Sequence, residues 1–204
     1  MSPLTEKQLL GRRKARREQI MEAAYRVFAQ RGWNRAKMSM IADEAGLSAG
    51  QLYRFFESKE ELFIALIEVA MEESVNALKT IYQLPGSPYE KLKAFTTSVL
   101  EDVKSQYPFM LIQQAHVSDE VPPEVKQMIN KYSMDHYVEL LLPLFIEGQE
   151  TQQFVDGDLS ILISSFLITL SALATFNMPM ADNYRMPEAE MVLRIVAGPK
   201  AAAL

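Results

Sequence analysis

The chain of 204 residues has no cysteine. Disulfides and thiolate metal sites are therefore excluded, and a reducing cytoplasm is the expected compartment. Histidine is almost as scarce. His116 and His136 stand alone, with no metal-binding spacing of carboxylates around either, so neither a metal nor a cofactor is expected. No glycine-rich loop could cradle a phosphate, and there is no nucleophile elbow. Without a clustered acid, base or nucleophile, the pattern argues against an enzyme. The opening residues "MSPLTEKQLLGRRKARRE" lack the apolar core of a secretory signal. Charge is missing from one long stretch, Leu159 to Ala181, whose length could cross a bilayer. However, Ser160, Ser164, Ser165, Thr169, Ser171, Thr175 and Asn177 break up its apolar surface, and its flanks, Asp156, Asp158 and Asp182, are acidic. With no basic anchor on either side, a buried core or interface helix is expected rather than a membrane span.

The charge that is present falls unevenly. The net charge is −5, yet residues 1–60 hold 12 Lys+Arg against 7 Asp+Glu, and the rest hold 9 against 19. A polyanion would be drawn to the first part and repelled by the second, as in a nucleic-acid-binding head on an acidic body. Five of the six residues from Arg12 to Arg17 are basic. They form either a solvated helix start or an extension that grips phosphates or the minor groove.

Apolar residues recur with helical period almost throughout, so the chain is expected to be all-α. Ile20, Ala23, Ala24, Val27 and Phe28 form one stripe on a helix ending near Gly32. A short helix from Met38 to Ala45 is stopped by Gly46. Ser48, with Gln51 three residues on, has the form of a capping box for a helix from Ala49 to Phe56. Ser58 and Glu61 repeat the pattern for a helix from Lys59 to Thr80. Further helices are expected over Tyr89–Ser105, Phe109–Ser118 after a break at Pro108, Pro123 to Gly148, Leu159–Phe176 and Pro187–Ala197.

Two short helices joined by a glycine turn, behind a longer amphipathic helix, make a helix-turn-helix. Its second helix lies in the major groove, where every base pair has a distinct donor and acceptor pattern. Leu52 and Phe56 can face the core, leaving Gln51, Tyr53, Arg54 and Phe55 on or near the other side. The Gln51 amide suits an adenine edge, Arg54 a guanine or a phosphate, and Tyr53 a phosphate. Ala49 and Gly50 keep the helix start slim enough for its free amides to approach DNA. Lys59 opposes the dipole at its own helix start, a cost that a nearby phosphate would offset.

Residues 14–65 resemble the N-terminal domain of the tetracycline-repressor (TetR) family of bacterial transcription regulators. The resemblance rests on Ile20, Ala23-Ala24, Phe28, Gly32-Trp33, Ile41-Ala42, Ala45-Gly46-Leu47-Ser48, Gly50, Leu52-Tyr53, Phe56 and Lys59-Glu60-Glu61-Leu62. It implies phosphate contacts at Tyr53 and Lys59, and a recognition surface at Ala49, Gly50, Gln51 and Arg54, with Ser48 capping. Lys37 stands where the family usually has a capping threonine, so either Ser39 caps instead or Lys37 reaches a phosphate. Phe55 stands where a polar residue or histidine is common; it either meets a thymine methyl or packs inward.

For residues 59–204 the resemblance implies a helical ligand-binding and dimerisation domain, following a DNA-binding domain over residues 1–58. The implied function is a ligand-responsive repressor, released from an inverted-repeat operator by a small apolar inducer. An architectural or partner-binding DNA protein with no inducer is the alternative. Candidate pocket residues are Tyr82, Tyr107, Phe109, Met110, Gln113, His116, Tyr132, His136 and Phe166, which could supply apolar walls and a few polar anchors. Ser160/Ser164 and Ser171/Thr175, four apart on the uncharged helix, would let a partner helix approach closely. A homodimer is therefore expected through this helix, at about 159–176, together with the C-terminal helix.

Overall fold

The computed structural model describes residues 6–101, 103–176 and 186–201. The end of the uncharged stretch, residues 177–181, lies outside them. Among the described residues there are ten α-helices and no strands, and the sole sheet-like pairing is an isolated antiparallel bridge between Phe154 and Ala197. The helices are α1 (Glu6–Arg35), α2 (Met38–Glu44), α3 (Ala49–Tyr53), α4 (Lys59–Thr80), α5 (Pro88–Glu101), α6 (Val103–Val117), α7 (Pro123–Lys131), α8 (Met134–Glu150), α9 (Leu159–Ala174) and α10 (Ala189–Leu193). No described helix is long and apolar enough to cross a membrane.

Three expected boundaries are corrected. Pro108 sits inside α6, which already begins at Val103. A proline in a helix interior removes one backbone hydrogen bond, yet α6 continues through Pro108 to Val117. The helix expected from Pro123 to Gly148 is two helices, with Ser133 in extended backbone as the N-cap of α8. The apolar stripe lapses there. Val125 and Ile129 are buried, but the next buried aliphatic is Val138, and serine favours a helix start over a helix interior. Helices α3 and α10 are shorter than expected, five residues each.

Packing divides the chain into two compact units. One holds residues up to Val69 together with Leu111–Met128; the other holds Ala70–Met110 and Ile129 onward. In the first, Ile20, Ala24, Phe28, Ile41, Leu52, Phe56, Leu62, Phe63 and Leu66 are almost wholly buried. Phe63 makes an edge contact with Phe28 at 4.9 Å and a tilted contact with Trp33 at 4.8 Å between ring centroids. The Gln114 amide of α6 donates to the Ala29 carbonyl of α1 at 3.1 Å. Residues 111–128 thus pack with the helix-turn-helix, although the functional division read from the sequence falls after residue 58.

The second unit is built around Leu92, Phe95, Leu141, Phe145, Phe154, Ile163, Phe166 and Val192. The Phe154 ring lies against Gly148 of α8 so closely that a Cβ there would come within 2.0 Å of it. The Tyr82 hydroxyl donates to the Leu140 carbonyl at 2.6 Å, and the Ser74 and Tyr137 hydroxyls lie 2.9 Å apart.

Candidate nucleic-acid interface

The turn between α2 and α3 is set by local chemistry. Gly46 has φ 64, a conformation costly for any residue with a Cβ. The chain leaves α2 there, and Leu47 folds back into the core. Ser48 is the N-cap of α3, and both halves of its capping box form. The Gln51 backbone N–H donates to Ser48 Oγ at 3.3 Å, and the Ser48 backbone N–H donates to Gln51 Oε1 at 3.0 Å. At α4 the Glu61 N–H donates to Ser58 Oγ at 3.0 Å, but the Glu61 carboxylate accepts from the Glu57 N–H.

Helix α3 buries only Leu52. Ser48, Ala49, Gly50, Gln51, Tyr53 and Arg54 are exposed, and the next buried residue is Phe56. Phe55 is half-buried. Among the described residues no close contact requires the glycine at position 50, because a Cβ there would meet no atom within 4 Å. A helical glycine costs about 1 kcal/mol relative to alanine. Close approach of an outside body would give that cost a purpose.

Some expected contacts are redrawn. Lys37 is itself the N-cap of α2, in extended backbone and without a side-chain capping bond. Ser39 therefore does not occupy the cap position; it lies exposed in the first turn of α2. The Lys59 ammonium donates to the Trp33 carbonyl at 3.0 Å and sits 4.0 Å from the centroid of the Trp33 ring, so it fastens the end of α1 to the start of α4. The oxygen of Gln51 that would accept from an adenine amino group is engaged by Ser48. Reading adenine through both amide atoms therefore requires opening the capping box.

Two contacts beside the candidate interface were not legible from spacing alone. Gln19 Nε2 donates to the Ala45 carbonyl, one residue before the glycine turn, at 2.6 Å. The Arg17 guanidinium lies 5.1 Å from the centroid of the Phe56 ring. The basic run of α1, exposed over residues 7–19, therefore departs from beside the turn and the end of α3.

The candidate pocket residues are divided between the two units. Gln113 and His116 are exposed on the part of α6 that belongs to the first unit. The other seven belong to the second. There Tyr107, Phe109 and Met110 are half-buried along α6, Tyr132 and His136 meet edge to face at 5.7 Å, and Phe166 is core, 6.3 Å from Phe145. Tyr82, although 41% exposed, is anchored through its hydroxyl to α8.

Residues 20–66 match the family described as "Bacterial regulatory proteins, tetR family". The chain is 30% identical over 167 residues to the "Uncharacterized HTH-type transcriptional regulator YerO" of Bacillus subtilis, covering 79% of this chain and 57% of that protein. It thus spans little more than half the length of that relative. To the "Fatty acid metabolism regulator protein" of the same organism it is 24% identical over 139 residues, 68% of this chain and 71% of the other. Among solved structures, that of AibR in complex with isovaleryl coenzyme A and operator DNA matches with a TM-score of 0.65 at 21% identity, covering 88% of this chain and 94% of that chain. At that identity the similarity is one of fold.

Proposed function

We propose that this chain, which belongs to the tetR family of bacterial regulatory proteins, is a cytoplasmic, ligand-responsive repressor that holds an inverted-repeat operator as a homodimer. The observation that carries this reading is the face of α3. The helix is short and capped, and its outward face bears exposed Gln51, Tyr53 and Arg54 around a glycine that meets no side chain or backbone of its own fold. In this account Gln51 and Arg54 meet base edges, while Tyr53, Lys37 and the basic run of α1 meet phosphates. Lys59 keeps two ammonium donors beyond the one bonded to Trp33, so it can meet a phosphate while holding α1. Residues 1–58 form the DNA-binding part, and residues 59–204 the ligand-binding and dimerisation part.

The dimer reading rests on α9. Ile163, Phe166, Leu170 and Ala174 are buried, whereas Ile161 and Ile168, seven residues apart on another side, are 64% and 58% exposed. Three hydroxyls on or just past α9 are satisfied within the helix: Ser164 donates to the Ser160 carbonyl at 2.6 Å, Thr169 to the Ser165 carbonyl at 2.8 Å and Thr175 to the Ser171 carbonyl at 2.8 Å. The helix thus presents an effectively apolar side to a second copy. Met191 on α10 and Ile195 just beyond it add exposed apolar surface. A two-fold dimer would set two α3 helices about 34–36 Å apart, one turn of DNA, or a multiple of that.

The ligand reading is supported by AibR, whose structure holds isovaleryl coenzyme A and operator DNA, and by the fatty acid metabolism regulator. Both point to an inducer with an apolar body. Helix α4 runs unbroken from Lys59 to Thr80, so a ligand that shifts its far end would move the DNA-binding end as well. Such coupling is typically about 1–3 kcal/mol, and DNA must change ligand affinity by the same factor. The test is selection of binding sites from a random duplex library by the full chain. An enriched inverted repeat is expected; enrichment of no sequence would leave an architectural protein as the better account.

A further inference from the structure

Gln51 lies on the exposed face of α3, yet its side chain is held at one end. Its Oε1 accepts from the Ser48 backbone N–H at 3.0 Å and from the Ser48 hydroxyl at 3.3 Å. The same hydroxyl oxygen accepts from the Gln51 backbone N–H at 3.3 Å. Which end of the amide meets Ser48 is therefore settled by chemistry. A backbone N–H can only donate, so an oxygen must meet it; turning the amide over would set one N–H against another. A carbonyl oxygen has two lone pairs, and Ser48 fills both. Every hydrogen bond of the Gln51 side chain among the described residues runs through that oxygen. The two hydrogens on Nε2 are left free.

An amide in this state shows DNA a different face. A glutamine with both ends free pairs with adenine, donating to N7 and accepting from the N6 amino group. With Oε1 filled, the second of those bonds is lost. Breaking a Ser48 bond to recover it exchanges one hydrogen bond for another, with no net gain. Guanine offers N7 and O6, two acceptors on one edge. Thymine offers O4 alone, and cytosine only its amino donor. A side chain that can only donate gains most from guanine, and it does so with the capping box intact.

We infer, on the DNA-binding reading above, that the Ser48 hydroxyl determines base specificity: by filling the Gln51 carbonyl it makes Gln51 a donor only, and the base so selected is guanine. Ser48 is a positioning residue in this account. It acts through Gln51 and requires no contact of its own with the DNA.

The test uses the full chain and the duplex enriched from the random library. The base pair served by Gln51 is the one at which Gln51→Met loses discrimination, and each of the four bases is placed there in turn. The unaltered chain should bind guanine about 3–10-fold more tightly than adenine, the contribution of one hydrogen bond. Ser48→Gly removes the hydroxyl and keeps the backbone N–H. Glycine is tolerated as an N-cap, so the fold should persist, as checked by thermal unfolding. One lone pair on Oε1 is then open to the adenine amino group, and the preference for guanine should fall to about 2-fold or less. Ser48→Thr returns a hydroxyl and should restore the preference. A preference for adenine in the unaltered chain would overturn the inference. So would a guanine preference that survives in Ser48→Gly, the result expected if Ser48 only caps the helix. If Gln51→Met flattens no base pair of an enriched operator, the inference fails and the DNA-binding reading stands. A library that enriches no sequence would instead remove that reading, and the inference with it.

Discussion

Helices α3 and α9 both present a face that folding does not need, and the two faces differ in chemistry. On α3 the free side is polar and slim: Gln51, Tyr53 and Arg54 around Gly50, with Leu52 alone turned inward. On α9 the free side carries Ile161 and Ile168, and the hydroxyls of Ser164, Thr169 and Thr175 are bonded back onto the helix. A polar face with unspent donors suits a partner that displays a pattern of acceptors, as DNA does. An apolar face suits a partner that excludes water. The comparison separates what holds the fold from what is held ready for something outside it, and each half can be broken on its own.

The largest effect is expected at α9. Ile168→Arg would place an unpaired charge in the proposed dimer contact, where removing a charge from water without compensation costs about 3–5 kcal/mol. Light scattering should show a soluble monomer with an intact helical spectrum, and DNA affinity should fall with the loss of one of two α3 helices. An intact dimer would move the interface elsewhere. Next come two glycines with opposite roles. Gly148→Ala drives a Cβ into the Phe154 ring and should lower stability by about 1–3 kcal/mol. Gly50→Ala meets nothing and should stabilise the helix by about 0.5–1 kcal/mol while weakening operator binding. Thermal unfolding and DNA titration on the same samples would separate them; unchanged DNA affinity for Gly50→Ala would remove the close-approach argument. The smallest effect is at Lys59. Lys59→Ala should lower the slope of log affinity against log salt by about 0.9. If the slope does not move, Lys59 serves only to hold Trp33.

The helix-turn-helix was largely legible in the sequence because its determinants are local. The Ser48–Gln51 box, the Gly46 turn and the Ile20-to-Phe28 stripe each depend on residues within three or four positions of one another. What was not legible depends on distant partners. Nothing in the spacing joins Gln19 to the Ala45 carbonyl, 26 residues on, or places Gln114 against Ala29, 85 residues apart. The break expected at Pro108 does not occur, because one proline costs a helix a backbone hydrogen bond without having to end it. The continuous helix drawn through Ser133 overlooked a lapse in the apolar stripe that the second unit does not fill. The proposed pocket residues, chosen for residue type alone, turn out to divide between two units, because side-chain chemistry says nothing about which core a helix end joins.

The most direct test of the central claim, that the free face of α3 reads DNA, is the affinity of Gln51→Glu for selected operator and for random duplex, measured alongside its thermal unfolding. Glutamate can still accept from the Ser48 N–H, so the capping box and the fold should persist. It cannot donate to a base, and it brings a negative charge to the groove. The account predicts an unchanged unfolding midpoint and a loss of about 1–3 kcal/mol in discrimination between operator and random DNA. Equal losses on both duplexes, with discrimination intact, would contradict it.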